Sequence, residues 1–213
     1  FIYGEVLEGI GELSIPIEFP CRESEANGTL ISLFFINDKI VRIIFQNHVM
    51  ENRPLFKIAN TPKLMANLEL ETIRKIIKEI GLAPTKAKNL KIMADQLIKS
   101  GGMRPDWNFL ESLAGVGHKT ASVVMSRWYG IPAFPIDTHI HRLSSRWGLS
   151  KAKNVEMTER DLKKLWPSDK WNKRHLQIIF FGREYCPARG HNLNACLICS
   201  WAASKKRVKL EMN

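Results

Sequence analysis

The chain has 213 residues, 45% hydrophobic and 25% charged, an ordinary composition for a folded globular protein of one or two domains. Its longest uncharged apolar run, residues 30–36, is too short to cross a bilayer, and no signal peptide is visible. Lysine and arginine number 32 against 21 acidic residues, a net charge of +11. This favours a polyanionic partner, and nucleic acid ahead of a membrane, since no basic amphipathic helix with a broad apolar face stands out.

Residues 3–13 read as one helix, interrupted by Gly9 and Gly11, and residues 15–20 as an extended connector. From Cys21 to Pro54 the pattern is weak. The apolar runs at 30–35 and 40–45 fit short helices or buried strands equally, because periodicity does not separate the two. Beyond Leu55 the signals sharpen. Thr61-Pro62 marks a helix start. Leu70, Ile73, Ile76, Ile77 and Ile80 form an apolar stripe at helical spacing, with Lys75, Lys78 and Glu79 facing away and Gly81 ending the helix. After the short loop Leu82-Ala83-Pro84, a helix runs from Thr85 to Gly101-Gly102 with Leu90, Ala94, Leu97 and Ile98 inward. Asp106 caps the next one.

Residues 110–146 organise the rest: a helix, a tight glycine turn, a second helix, a Pro-rich loop and the opening of a third. In Gly115-Val116-Gly117 the absent Cβ atoms let the chain reverse and let a ligand approach the backbone. A helix opening near His118 points its free N–H groups and positive dipole end at the turn, an anion site suited to phosphate. Lys119 lies in the first turn of that helix, where a cation opposes the dipole. Taken alone, it is a phosphate contact as readily as a reactive group. Asp137 follows Pro132 and Pro135 and precedes Thr-His-Ile-His-Arg, so taken alone it reads first as an N-cap. His139 and Arg142, one turn apart, fit a solvated helix face.

Further on, Thr158-x-x-Asp161 has a capping-box pattern, with Leu162, Leu165 and Trp166 inward and Pro167 as the stop. Residues 173–182 form another amphipathic helix. Strand signals are scarce, there are no repeats, and the expected class is all-α. Near the end, Cys196-x-x-Cys199 has metal-chelate spacing, Cys186 precedes it, and His191 lies midway in the loop between Cys186 and Cys196. Four cysteines, three of them clustered, point to a metal site rather than a disulfide framework. Lys205-Lys-Arg-Val-Lys209 reads as a solvated basic end that adds weak attraction to DNA.

Leu113-x-Gly-Val-Gly-x-Lys119, followed after seventeen residues by Asp137-Thr-His-Ile-x-Arg142, is far more specific than any of its pieces. It resembles the helix-hairpin-helix DNA glycosylases with a Gly/Pro-rich loop and a catalytic Asp, most closely the endonuclease III family. The likeness runs from about Leu55 to Cys199. It implies two helical domains with the active site in the cleft between them: residues 22–137 as the central domain carrying the hairpin, and residues 1–21 plus 138–213 as the second. It makes Lys119 the nucleophile and Asp137 its assistant. Gly115, Val116, Gly117, His118 and Thr120 become the DNA grip, with His139 and Arg142 added. It aligns Leu82 with a residue that wedges into the duplex, against the alternative of a loop leucine packed on the core.

The implied function is base excision repair, by a DNA glycosylase with β-elimination abasic-site lyase activity on oxidised pyrimidines, through a Lys Schiff base. The partner is double-stranded DNA holding damaged bases or abasic sites. The protein would be a monomer away from membranes, in the cytoplasm and on the nucleoid if bacterial. Where the family has Ser-Ala-Gln-x-Thr-Asp, whose Gln fills the gap left by an extruded base, this chain has Phe35-Ile36-Asn37-Asp38-Lys39. Asp38 matches the family Asp, and Asn37 is the nearest polar substitute for the Gln. That departure leaves a rival from another class, a helix-hairpin-helix DNA-binding protein with impaired catalysis. The family also implies a [4Fe–4S] cluster on four cysteines, of which Cys186, Cys196 and Cys199 are present and the fourth position is Lys205. Three readings follow: a cluster with a non-Cys or absent fourth ligand, a Cys₃His zinc site using His191, or no metal.

Overall fold

The computed structural model describes residues 32–36, 39–43, 53–78 and 81–211. The helix and connector expected over residues 3–20, together with Cys21, Asn37, Asp38, Glu79 and Ile80, lie outside them. The described residues divide between Val124 and Met125 into two compact units.

The fold is helical with one exception. The two apolar runs that periodicity left open are strands: β1 (Ser32–Ile36) pairs antiparallel with β2 (Lys39–Ile43), Ser32 opposite Ile43 and Ile36 opposite Lys39. Phe, Ile and Val dominate both segments, and such side chains suit a pleated surface better than a short helix.

Helices α1 (Arg53–Ile58), α2 (Pro62–Asn67), α3 (Leu70–Ile76), α4 (Ala83–Ser100) and α5 (Trp107–Ser112) follow. Thr61 caps α2 through Oγ1, which accepts from the Leu64 amide at 3.1 Å, and Pro62 needs no hydrogen-bond acceptor at that position. Lys91 reaches back from α4 and donates through Nζ to the carbonyls of Ala66 and Leu68, closing the free end of α2. Asp106 caps α5 as expected, Oδ1 accepting from the Phe109 amide at 2.8 Å.

Helix α4 is the long central rod, packed on α2 and α3 through buried Ala87, Leu90, Met93, Ala94 and Leu97. It begins two residues before the expected Thr85. Ile98, expected inward, is half exposed, and so is Leu70 in α3. Both lie at helix ends on the margin of their apolar stripes, Leu70 opening α3 and Ile98 in the last turn of α4.

Helix α6 (His118–Arg127) runs across the division between the units. Beyond it come α7 (Thr138–Arg146), α8 (Val155–Leu165), a 3₁₀ turn at Ser168–Lys170, α9 (Trp171–Glu184), α10 (Cys199–Ala202) and α11 (Lys205–Glu211). Helix α8 starts earlier than the Thr158 pattern suggests. Its cap is Asn154, whose Oδ1 accepts from the Met157 amide at 2.8 Å. Thr158 is buried inside the helix, donates its hydroxyl to the Asn154 carbonyl and meets Nδ1 of His141 at 2.9 Å. Helix α7 packs on α9 and α8 around Phe134, Leu143, Trp147, Leu162 and Phe181, a core that continues into the three cysteines. Among the described residues no helix is long and apolar enough to cross a membrane.

Candidate active site and metal centre

The hairpin joins α5 to α6 and is supported by α4. Gln96 bridges it: Oε1 accepts from the Ala114 amide at 2.8 Å, and Nε2 donates to the Ser112 carbonyl at 3.0 Å. Gly115 sits at φ +80°, and a Cβ there would stand 2.9 Å from Nδ2 of Asn89, so conformation and space both require glycine. At Gly117 a Cβ would meet nothing within 4 Å. The backbone there faces open space. The Gly117 carbonyl accepts from the amides of Thr120 and Ala121 and starts α6.

His118, at the first position of α6, is exposed, stacks on Trp107 with ring centroids 5.6 Å apart, and places Nδ1 2.7 Å from Oε1 of Glu111. Lys119 follows, half-buried, in a first turn that holds no acidic residue. Val116 and Thr120 are both 7% exposed and hold the turn from inside, so neither presents a side chain to a phosphate. Leu82 is the opposite case. It is 74% exposed at φ +63°, and the alternative of a loop leucine packed on the core does not hold.

Asp137 is half-buried and does cap α7: its Oδ1 accepts from the Ile140 amide at 2.8 Å. His139 and Arg142 are not the solvated pair that their spacing allows. Arg142 donates through Nη2 to the carbonyls of Gly182 at 2.9 Å and Cys186 at 2.8 Å, and contacts Nδ1 of His139 at 3.2 Å. Burial pushes the His139 imidazole below its ordinary value, opposed by Asp137 and reinforced by Arg142 and Arg183. The neutral ring can then accept from Arg142. The two side chains join α7 to the end of α9.

Cys186, His191, Cys196 and Cys199 each offer a ligand atom, and these four atoms all lie within 4.8 Å of one another. The three sulfurs are buried and carry no disulfide. Those of Cys186 and Cys199 are 3.7 Å apart. The hydrogen bond between the two thiols holds Cys186 down to about 5, with burial opposing and Arg146 assisting, and pushes Cys199 upward.

Two supporting residues have no signal in sequence. Arg146, 1% exposed, donates through Nη1 to Sγ of Cys186 at 3.0 Å and to the Pro187 carbonyl at 2.8 Å. Trp147 donates through Nε1 to Sγ of Cys199 at 3.4 Å. Both fall where the helical pattern of α7 calls for residues facing the core, but a sequence pattern does not say what they would meet there.

The family model described as HhH-GPD superfamily base excision DNA repair protein matches residues 36–168. Endonuclease III of Treponema pallidum (strain Nichols) is 38% identical over 146 residues, covering 68% of this chain and 69% of that protein. Endonuclease III of Escherichia coli (strain K12) is 36% identical over 160 residues, covering 73% and 75%. Among solved structures, a non-covalent endonuclease III–DNA complex aligns with a TM-score of 0.70 at 32% identity, over 76% of this chain and 77% of that one. A trapped endonuclease III–DNA covalent intermediate, an estranged-adenine complex, aligns with a TM-score of 0.70 at 34% identity, over 76% of each chain.

Proposed function

The chain belongs to the HhH-GPD superfamily of base excision DNA repair proteins, as a bifunctional DNA glycosylase and abasic-site lyase of the endonuclease III type, and on that premise we propose that Lys119 is its nucleophile and Asp137 its electrostatic partner. The substrate in this reading is double-stranded DNA, and the bases removed are oxidised pyrimidines. The observation that carries the nucleophile is the position of Lys119, half-buried in a helix turn that holds no acidic residue, directly after a hairpin whose Gly117 backbone is open. The neutral amine is the form that attacks, and a cation at this position would face the positive end of the α6 dipole.

The reaction then follows from bond accounting. The damaged nucleotide must leave the base stack before its glycosidic carbon is reachable. The Lys119 amine forms a bond to C1′, and the base departs with the glycosidic electron pair. Loss of the amine proton and opening of the sugar ring give a Schiff base. The iminium withdraws electrons from C2′, whose proton is lost, and the C3′–O bond breaks with the phosphate as leaving group. Asp137 stabilises positive charge developing on the sugar and helps move the proton from Lys119. Its bond from the Ile140 amide fixes the direction of the carboxylate. The Cys/His group is tens of residues from Lys119 in sequence and serves as a structural metal site.

Borohydride reduction during incubation with an abasic duplex tests the assignment. The expected result is a covalent protein–DNA adduct that Lys119→Gln abolishes while duplex affinity persists. Binding without any adduct from the unaltered chain would instead favour the DNA-binding module.

A further inference from the structure

The cysteine group does not fit a four-iron cluster. Each thiolate of a cubane binds a different iron, so its sulfurs stand roughly 6 Å apart, separated by the iron–iron edge and the splay of the outer bonds. Here Sγ of Cys186 and Sγ of Cys199 are 3.7 Å apart, and no pair among the four ligand atoms exceeds 4.8 Å. A single tetrahedral ion with Zn–S bonds of about 2.3 Å needs sulfurs about 3.8 Å apart. The fourth thiolate is missing as well, since position 205 is an exposed lysine opening α11.

We propose that Cys186, His191, Cys196 and Cys199 form a Cys₃His site for one zinc ion, with His191 as the fourth ligand. Several features are built for it. Cys196 and Cys199 have the short chelate spacing of structural zinc sites. The loop that carries His191 is folded back by Asn192, whose Oδ1 accepts from the amides of Asn194 and Ala195 at 3.0 and 3.2 Å and whose carbonyl accepts from Cys196 at 3.0 Å. That turn brings His191 within ligand range of the three sulfurs despite the long interval between Cys186 and Cys196. The N–H donors of Arg146 and Trp147 aim at two of the sulfurs, the outer-sphere support that thiolate sites use. Three thiolates on one divalent ion leave a net negative charge, and the buried Arg146 guanidinium opposes it. Soft sulfur donors with one imidazole in a tetrahedron select zinc among common divalent ions. The ion is redox-silent, so its work is to hold the C-terminal loop.

Metal analysis of the full chain, purified anaerobically from cells supplied with both iron and zinc, is the test. We expect about one zinc per chain, negligible iron and no visible absorption. Cobalt(II) exchanged into the unaltered protein should give the intense d–d bands of a tetrahedral S₃N site, and the His191→Cys variant should shift them toward an S₄ pattern. His191→Ala should lose more than about nine-tenths of the zinc under a competing chelator, while His191→Cys retains it. Four irons per chain with a brown chromophore would overturn the proposal, as would a chain that holds no metal. If His191→Ala folds and keeps its zinc, or if cobalt reports a site without nitrogen, His191 is not the fourth ligand.

Discussion

Asp137 and Arg146 stand at the two ends of one helix. The carboxylate caps the first turn of α7, and the guanidinium, nine positions on, donates to Sγ of Cys186. A helix rises about 1.5 Å per residue, so roughly 13 Å of helix backbone joins the proposed catalytic carboxylate to the cysteine loop. Disturbance of the loop can therefore reach the carboxylate as a tilt of α7 with no intervening contact.

Asp137 has two duties, and two substitutions separate them. Asparagine caps a helix about as well as aspartate, so Asp137→Asn should shift stability by only a few tenths of a kcal/mol. Loss of the charge should slow single-turnover base release about 100-fold or more. Asp137→Ala should lose the same activity and about 1 kcal/mol of stability as well. If Asp137→Asn keeps full activity, Asp137 is a cap alone.

The two hairpin glycines should fail in different ways. Gly115→Ala forces a side chain into φ +80° and against Asn89, and should cost about 1–2 kcal/mol in thermal or denaturant unfolding. Gly117→Ala meets nothing, so its stability should stay within about 0.5 kcal/mol of the parent. Its methyl group would occupy the approach to the open backbone, and duplex affinity should fall. Equal loss of stability in both variants would contradict this picture.

Leu82 is an exposed leucine in a strained conformation, an arrangement that stability alone does not favour. Leu82→Gly relieves about 1 kcal/mol of left-handed strain, offset in part by the greater entropy of the unfolded chain. The melting temperature should hold or rise. Excision from a duplex should drop roughly tenfold or more if the side chain wedges the stack. An unchanged excision rate would assign Leu82 to some other task.

Arg146→Met keeps the bulk but removes the donor to Sγ of Cys186 and to the Pro187 carbonyl, while the Cys186 carbonyl keeps its bond from Arg142. Leaving buried acceptors without a donor costs about 1–3 kcal/mol. Unfolding should occur at lower temperature, and metal should escape to a chelator faster than from the parent. Parental release kinetics in a destabilised variant would mean that Arg146 supports the core and not the loop.

The hairpin was legible in the chain because its determinants are local. Gly115 answers a positive φ, Asp106 and Asp137 sit at helix starts, and Thr61-Pro62 opens α2 within four residues. The β1–β2 pair was not legible, since two short apolar runs have no period long enough to separate strand from helix. Arg142 and Arg146 were hidden for a different reason: their partners Gly182, Cys186 and Pro187 lie about forty residues away, and no spacing rule spans that interval. His191 was visible as a donor type, but the Asn192 turn that brings it among the cysteines appears only once the loop is folded.

Arg146 is also a hinge pin between two strips of chain. Its side chain holds Cys186 and Pro187, while its own carbonyl accepts from the Ser204 amide at 2.7 Å, just before α11. The cysteine loop and the basic C-terminal helix are therefore anchored on one residue from opposite sides. Amide hydrogen exchange should show the two opening as one cooperative unit, and removal of the proposed zinc by a chelator should expose the Lys205–Glu211 segment to proteolysis before the rest of the fold is cut.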